Sequence, residues 1–561
     1  MFHLRGVPWM HLRDNLEYLH VYQALLMGAG MALATASMTA TAAEVPAGVK
    51  LAPVQELVRG NGTEVATLDP HKVEGVPESH VLRDLMEGLV IQDALGNTIP
   101  GIAESWSTDD NQTFTFKIRK YAKWSNGDPV TAQDFEYSFK RAVDPATASP
   151  YAWYIEKTQM KGAKDIISAK KSVDELGVKA IDDHTLVVET EVPLPYFVKM
   201  MAHTTMYPVH KATVEKHGDS WTKPGNFISN GAFKLTDWVV NEKIVLERNE
   251  NYWDNKDTVI DKVTFLPIEN QNAEMNRFLS GEIDITYEVP NEQFRRLKKQ
   301  YPENVVVSPN LCTYYYGFNT QKAPFDDARI RKALSYSIDR DIVSNAIWGQ
   351  GQTPAYALTH SGITGFSPAA PEYAGLTQKQ RVEEAKELLS EAGFGPGNPL
   401  DFTLLYNTSE NHKKTAVAIQ SMWKKSLGGY VNVTLENQEW KTYLDNSKQG
   451  NFDVRRAGWC ADYNEASSFL AIAMTNNGNN DQKYSSAIFD KAMHDAAKVA
   501  KTDEERNGFY AIAEAQLAQD MPIAPIFQYV QPRLVGTDVG GYPDKNPQDN
   551  IYSKDLYLTA Q

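Results

Sequence analysis

The sequence predicts an α/β protein built from at least two lobes. Three features predict it: the length of the chain, the alternation of strand-like and helix-like segments, and the absence of a long linker. At 561 residues the chain is too long for one hydrophobic core, because single cores stop growing at roughly 250–300 residues. Alternating strand and helix patterns are typical of α/β folds. Without a linker, we expect interleaved lobes between which the chain crosses more than once.

Three segments illustrate the strand patterns. Residues 114–119 alternate between apolar and polar side chains with a period of two. Residues 185–190 are rich in β-branched side chains and place Leu186 and Val188 on one face. Residues 401–406 are more continuously apolar, which predicts a more fully buried strand.

Two segments carry clear helix patterns. Thr377 followed by Gln380 is a capping box that begins a helix over 378–392, and Gly393 supplies its C-terminal stop. The apolar face of this helix comprises Val382, Ala385, Leu388, Leu389 and Ala392. A second helix is expected near 327–338, where apolar residues recur four positions apart.

The charge of the chain excludes some partners. A formal net charge of −15 argues against nucleic acid, whose binding proteins usually carry a basic patch or domain. The same acidity argues against a polybasic membrane anchor. Acidity by itself favours solubility and names no partner.

The N-terminal segment predicts export. Residues 24–42 carry no charged side chain and end in Ala40-Thr41-Ala42, a small-residue cleavage pattern that places the cut before Ala43. We therefore interpret residues 1–42 as a signal peptide, with an uncleaved anchor as the alternative. The acidic residues Asp14 and Glu17 are unusual ahead of such a segment, and a start codon assigned too far upstream would explain them.

Two cysteines, Cys312 and Cys460, are present in the chain. An even number in an exported protein favours one disulfide. The alternative is two buried free thiols, and the spacing alone does not decide between them.

Enzyme motifs are absent from the sequence. We find no G-x-S-x-G, H-E-x-x-H, C-x-x-C or phosphate-binding G-x-x-x-x-G-K-[ST] pattern, and the histidines do not stand at metal-ligand spacing. We therefore expect a protein that is not an enzyme and that has neither a cofactor nor a metal. Aromatic residues beside polar ones in 311–316 and 457–465 are compatible with walls of a ligand cavity, although core packing is the simpler explanation.

A long ordered block of segments, 100–106, 114–119 and 124–135, resembles the peptide- and nickel-binding family of solute-binding proteins that serve ABC importers, solute-binding protein family 5. Further segments resemble its periplasmic oligopeptide-binding members specifically: Leu68 to Ser79, Thr147 to Tyr151, Asn437 to Thr442, and Arg456 to Glu465. The resemblance extends over essentially the whole mature chain.

The resemblance implies a two-lobed periplasmic binding protein fold, with an extra domain in the first lobe and the ligand enclosed between the lobes. The implied division of the chain is the following: signal peptide 1–42; first lobe, or domain I, 43–86, 211–311 and 530–561; extra domain, or domain II, 87–210; second lobe, or domain III, 312–529.

The resemblance also implies a set of ligand-binding residues. Asp462 is expected to pair with the α-ammonium of a peptide, and Cys312 with Cys460 to form the family's disulfide. Backbone binding is expected at Glu74 to Val76 and at Ala457, Gly458, Trp459 and Cys460, and side-chain contacts at Tyr151, Tyr315, Asn407, His412, Trp440, Trp459 and Arg456. For each aromatic residue, ordinary core packing is the alternative.

The sequence departs from the family pattern at four positions. Trp348 and Ser447 stand where the pattern has cations that neutralise the ligand carboxylate, and Lys448 is next to Ser447. Gly317 replaces an acidic residue and Gln528 an aromatic one. We expect a shifted preference for peptide length, or a specialised peptide such as a murein fragment.

The implied function is capture of peptides of roughly two to five residues by hinge closure in the periplasm, followed by delivery to an ABC permease. A monomer is the family expectation. The alternatives are another ligand in the same fold, such as nickel, haem or a glycan, and, less favoured, a peptidase or a chaperone.

Overall fold

The computed structural model describes residues 43–560. The predicted signal peptide, residues 1–42, lies outside the described residues. The strands in chain order are β1 Glu56–Gly60, β2 Val90–Gln92, β3 Thr98–Pro100, β4 Ala103–Ser107, β5 Thr113–Ile118, β6 Val178–Asp182, β7 Thr185–Glu189, β8 Phe233–Val239, β9 Lys243–Arg248, β10 Lys262–Leu266, β11 Val305–Phe318, β12 Thr353–Pro354, β13 Leu400–Asn407, β14 Val431–Gln438, β15 Val454–Cys460, β16 Ile523–Leu534, β17 Val539–Gly540 and β18 Tyr557–Leu558.

The α-helices are α1 Val76–Leu85, α2 Ala132–Val143, α3 Ala152–Lys157, α4 Ala163–Ile167, α5 Phe197–Met200, α6 Lys211–His217, α7 Gln271–Leu279, α8 Asn291–Gln300, α9 Ala328–Tyr336, α10 Gln378–Glu391, α11 Glu410–Leu427, α12 Trp440–Gln449, α13 Ser467–Leu470, α14 Ala487–Lys498 and α15 Asp503–Asp520. A π-helix covers Ile342–Trp348. None of the helices in the described part of the chain is long and apolar enough to cross a membrane.

The elements predicted from sequence patterns are present. The three predicted strands correspond to β5, β7 and β13, and the two predicted helices to α10 and α9. The capping box of α10 forms as expected: the Gln380 N–H donates to Thr377 Oγ1, and the Thr377 N–H donates to Gln380 Oε1 at 3.0 Å. Gly393 follows α10 with a φ of +90°, a conformation that glycine adopts without strain.

Two four-stranded sheets share one hydrophobic core. The first has the strand order β1-β10-β9-β8, with β1 parallel to β10 and the other pairs antiparallel; the second is antiparallel throughout, in the order β4-β5-β7-β6. Leu57 and Val263 from the first sheet lie in the same buried cluster as Phe114 and Leu186 from the second.

A six-stranded sheet, in the order β12-β16-β11-β15-β13-β14, is covered by helices on both faces. Tyr314 and Tyr316 pack on one face with Leu389 of α10 and Trp423 of α11. Tyr315 points to the other face, where the core includes side chains of α14 and α15. This alternation follows from the period of two in a strand.

The long strands β11 and β16 connect the sheets to each other. The first half of β11 pairs with the end of β16, where Leu534 is buried with Leu266 of β10 and Ile283. The second half of β11 pairs with β15 inside the six-stranded sheet. The architecture is thus α/β with two lobes, as the sequence predicts, and the domain boundaries given above stay a prediction.

Candidate ligand-binding site

A cavity of about 310 Å³ is lined by segments that are far apart in the chain. One wall includes residues 73–83 around the start of α1, together with 151, 202–204 and 268–288. The opposite wall includes residues 407–412, 440–448 and 455–462. The volume is in the range of small-ligand sites, about 300–1,000 Å³.

All the ligand-binding residues expected from the sequence line this cavity. They are Glu74, Val76, Tyr151, Tyr315, Asn407, His412, Trp440, Arg456, Ala457, Gly458, Trp459, Cys460 and Asp462. The fold therefore brings together residues from positions 74 to 462.

Asp462 is a buried carboxylate with an unused oxygen. Its side chain is 8% exposed, and Oδ1 accepts a hydrogen bond from the Tyr151 hydroxyl at 3.3 Å. His203 Nε2 lies 3.3 Å from the same oxygen. Oδ2 has no hydrogen-bond partner. A buried carboxylate oxygen without a partner is costly unless a ligand completes it.

Aromatic rings enclose this carboxylate. Tyr151 stacks on His203 with ring centroids 5.3 Å apart, and on Trp459 at 6.4 Å. The indole N–H of Trp459 donates to the Ser468 carbonyl at 2.7 Å, which fixes the orientation of its ring. The walls exclude water from the carboxylate, which strengthens its interaction with any cation placed there.

The strand that leads to Asp462 has an edge that faces the cavity. β15 pairs along its whole length with β11, from Val454 opposite Phe318 to Cys460 opposite Cys312. On its other side the pairing with β13 covers only Val454 and Arg455. The following residues line the cavity, where an extended chain could hydrogen-bond to them.

The disulfide braces this edge. Cys312 and Cys460 are bonded and stand directly opposite each other in the β11–β15 pair. The alternative of two free thiols is therefore wrong. Since Cys460 is two residues from Asp462, the bond holds the carboxylate relative to the six-stranded sheet.

Arg456, the third residue of β15, provides a positive charge away from Asp462. Its guanidinium donates to Asn407 Oδ1 at 3.1 Å and to the Tyr529 hydroxyl at 2.6 Å, and it lies over the ring of Tyr314. Burial and the nearby Arg456 lower the pKa of His412 well below its usual value. Arg456 is therefore the cation at this end of the cavity, and His412 is neutral at pH 7.

None of the four residues that depart from the family pattern lines the cavity. The Trp348 indole N–H donates to Thr415 Oγ1 at 2.9 Å, and its ring packs on Phe527. Ser447 is buried. At Gly317 a Cβ would lie 2.4 Å from the end of the Gln482 side chain, which would have to shift to admit a larger residue.

His203 and Lys448 are among the cavity residues that the sequence analysis did not predict to bind ligand. His203 is a single histidine without a motif, and only the tertiary structure places it beside Asp462. Lys448 reaches across the cavity to Glu74, with Nζ 2.5 Å from Oε1, and also donates to Asn479 Oδ1 at 2.6 Å. The signal for Lys448 was its position next to Ser447, where the family pattern has a cation.

A second, more open cleft of about 920 Å³ contains none of the expected residues. Its most buried cation, Arg141, is already paired with Asp69 at 2.6 Å. Despite its larger volume, this cleft therefore offers a ligand fewer unpaired buried groups than the cavity at Asp462. Within residues 43–560, no group of three or more His, Cys, Asp or Glu side chains could hold a metal ion.

Two α/β lobes and a polar cavity lined from both define a solute-binding protein. Residues 97–481 match the family described as bacterial extracellular solute-binding proteins, family 5 Middle. The chain belongs to this family. The periplasmic oligopeptide-binding protein of Salmonella typhimurium is 54% identical over 535 residues, which cover 95% of this chain and 98% of that protein.

Solved structures show the same architecture. The structure of the Escherichia coli murein tripeptide binding protein has a TM-score of 0.90 at 48% identity, covering 91% of this chain and 100% of that one. A Haemophilus influenzae oligopeptide-binding protein in complex with the peptide RPPGFSPFR has a TM-score of 0.89 at 49% identity, with the same coverage.

The unliganded open form of the murein tripeptide binding protein gives a TM-score of only 0.65, at 47% identity and with 92% and 99% of the two chains covered. The present structure therefore differs from that open form in the arrangement of its parts, and it agrees with the other structure of the same protein.

Proposed function

We propose that this chain captures short peptides outside the cytoplasm by closing its two lobes over them, and delivers them to the permease of an ABC importer. The observation that carries the proposal is the buried carboxylate of Asp462, whose Oδ2 has no partner. A peptide α-ammonium supplies the fixed positive charge that such a group requires.

The edge of β15 supports binding of an extended peptide. A ligand that adds as a strand uses backbone hydrogen bonds, which do not depend on its side chains. Arg456 lies six residues before Asp462, which at about 3.3 Å per residue is at most about 20 Å of extended chain. A peptide of roughly two to five residues fits between the ammonium site at Asp462 and a carboxylate site at Arg456.

Closure is supported by contacts between residues of the two predicted lobes. Tyr151 and His203 contact Asp462, and Glu74 pairs with Lys448. A ligand that touches both walls binds the closed form more tightly than the open one, and this difference shifts the population towards closure.

The relatives support the cellular role. The Salmonella typhimurium relative is named a periplasmic oligopeptide-binding protein, and periplasmic location agrees with the export signal predicted from residues 1–42. The relatives are binding proteins, which supports a role without catalysis. Incubating the protein with a peptide and measuring its mass would expose peptidase activity.

The test is calorimetric titration of ligand-stripped protein, unfolded and refolded, with an unblocked tripeptide and its N-acetylated twin. We expect the free tripeptide to bind and the acetylated one to bind at least about tenfold more weakly, because a hydrogen bond to a charged group contributes about 1.5–3 kcal/mol. Absence of binding by both would refute peptide capture.

Asp462→Asn tests the assigned residue. We expect the affinity for the free tripeptide to fall about tenfold or more and the discrimination against the acetylated twin to disappear. Asp174→Asn is the matched control, since its carboxylate is 80% exposed and lies outside the cavity. If Asp462→Asn keeps the discrimination, the ammonium binds elsewhere.

A specialised murein peptide is the second candidate. The similarity to the murein tripeptide binding protein of Escherichia coli favours it. Comparing a murein tripeptide with unmodified tripeptides in the same titration distinguishes the two candidates. Equal affinities for di- to pentapeptides would exclude a shifted length preference.

A further inference from the structure

The charges that line the cavity are unequal. The lining contains the carboxylates Glu74, Glu269, Glu274, Glu288, Asp462, Asp481 and Asp549, and the cations Lys448, Arg83, Arg455, Arg456 and Arg533. Three of these cations have a carboxylate of the lining as a direct partner: Lys448 pairs with Glu74, Arg455 with Asp481, and Arg533 with Asp549. The carboxylates of the lining outnumber its Lys and Arg side chains by two, and a simple zwitterionic peptide does not change that difference.

The excess lies on the wall opposite Arg456. Gln271 and Glu274 are one turn apart on α7 and face the cavity together with Glu288. Glu288 Oε2 accepts hydrogen bonds from the side-chain amides of Gln271 and Asn411. No ion pair within 4 Å joins Glu288 to a cation among the described residues, although the charges of Arg456 and Arg533 act to lower its pKa.

Unpartnered acceptors accompany these carboxylates. Glu274 is 0% exposed; its Oε1 accepts from the Tyr287 N–H at 2.7 Å, whereas Oε2 has no partner. Gln271 is 4% exposed, and its Oε1 also has no partner. Burial raises the pKa of Glu274 to about 8 and raises that of Glu288. Burial is the largest cause of both shifts, and the nearby arginines offset it only in part.

We propose that Glu288, with Gln271 and Glu274, forms a second cation site that binds a side-chain amino group at the carboxyl-terminal end of the ligand. Buried acceptors without partners require donors from the ligand. This inference rests on peptide capture as proposed above, and it names the class of peptide: one whose last residue carries a basic side chain.

In this arrangement, the carboxylate and the side-chain ammonium of the last peptide residue have separate partners. Its carboxylate pairs with Arg456 on one wall, and its side-chain ammonium reaches the acceptors on the other. Because Arg456 already donates to Asn407 and Tyr529, it holds its position without contacting Glu288.

The test compares Ala-Ala-Lys with Ala-Ala-norleucine, whose side chain has the same four carbons but lacks the terminal ammonium, by calorimetric titration of the stripped protein. We expect Ala-Ala-Lys to bind about tenfold more tightly, the effect of one buried charge-assisted hydrogen bond. Lys-Ala-Ala serves as the positional control, and its affinity is expected to be independent of Glu288.

Glu288→Gln keeps the shape of the side chain and removes its charge. We expect this variant to bind both peptides with the affinity of the wild type for Ala-Ala-norleucine. Glu292→Gln, on α8 and outside the cavity lining, is the matched control and should retain the tenfold preference. If Glu288→Gln does not fold, Glu274→Gln replaces it; because the ligand ammonium favours the ionised form of Glu274 in the complex, the same loss of preference is expected.

Two results would overturn the inference. If the wild type binds Ala-Ala-Lys and Ala-Ala-norleucine equally, the second cation site does not exist, whereas peptide capture stands. If the variant weakens both peptides equally, Glu288 only maintains the cavity. Failure of every peptide to bind would refute peptide capture and this inference together.

Discussion

Several polar and charged side chains of this protein are buried, and their hydrogen-bonding groups need partners among their neighbours. Arg141 shows how: it donates to Asp69 at 2.6 Å and also contacts His71 Nδ1 at 2.7 Å. His71 Nε2 then donates to the Tyr207 carbonyl at 3.2 Å. Burial, together with Arg141, lowers the pKa of His71 to about 4. Asp462 differs in kind, because one of its oxygens is left for a ligand.

The depressed pKa of His71 predicts sensitivity to acid. In the unfolded chain a histidine gains its proton near pH 6.5, and in the folded protein His71 gains it only near pH 4. The unfolded state therefore binds more protons between these values, and stability falls as the pH falls, by about 1.4 kcal/mol per pH unit for this residue.

Urea unfolding of wild type and His71→Gln at pH 7, 6 and 5 measures this contribution. The loss of unfolding free energy on acidification should be shallower in the variant by up to that amount. His494→Gln removes a histidine with a side chain 58% exposed and should keep the wild-type slope. Identical slopes in all three proteins would show that His71 does not titrate as described.

At the scale of elements, strand β15 positions several of the main groups of the site. It pairs with β11 along its length, is bonded to it by the disulfide at Cys312, and carries Arg456 near its middle. Its pairing with β13 ends at Arg455, which leaves an edge towards the cavity. A central strand thus offers a free edge only where the ligand is proposed to lie, and elsewhere its edges are covered.

The disulfide should contribute both to stability and to binding. It closes a loop with a sequence separation of 148 residues, for which chain entropy predicts a stabilisation of up to about 5 kcal/mol. We expect the Cys312→Ser, Cys460→Ser double variant to lose about 2–5 kcal/mol in urea unfolding and to bind the tripeptide more weakly.

Because the chain has two cysteines in total, a reductant provides the matched control. It should lower the stability of the wild type towards that of the double variant, and should leave the double variant unchanged. An unchanged wild type under conditions that reduce the bond would contradict a stabilising role.

At the scale of the whole molecule, the cavity exists only because two lobes meet. Its lining comes largely from residues 62–288 and 407–550. The long strands β11 and β16 join the lobes. Because few segments of the chain connect the two separately packed lobes, the lobes can move about a hinge. A ligand that contacts both lobes favours the closed arrangement.

Small-angle X-ray scattering tests the closure. We expect the radius of gyration of the stripped protein to decrease when a saturating unblocked tripeptide is added, because ligand contacts with both walls favour the closed arrangement. The N-acetylated twin at the same concentration should decrease it less, because it is expected to bind at least about tenfold more weakly. If the radius of gyration is the same with and without bound tripeptide, capture does not proceed by lobe closure.

Local patterns in the sequence determined the local structure. The capping box at Thr377 and the alternation in 114–119 predicted α10 and β5, because hydrogen-bonding and burial periods act over a few residues. The resemblance to the solute-binding family selected the residues that the fold gathers in the cavity, and the even cysteine count agreed with the bond between β11 and β15.

Only the tertiary structure decided which residues face one another across the cavity. Nothing near His203 or Glu288 in the sequence marks them as cavity residues, and Lys448 meets Glu74 from 374 positions further along the chain. Trp348 and Gly317, which the sequence alone would place among changed ligand contacts, pack behind the wall. The burial and charge pairing of these side chains depend on which distant segments the fold brings together. Local sequence patterns do not show which segments those are.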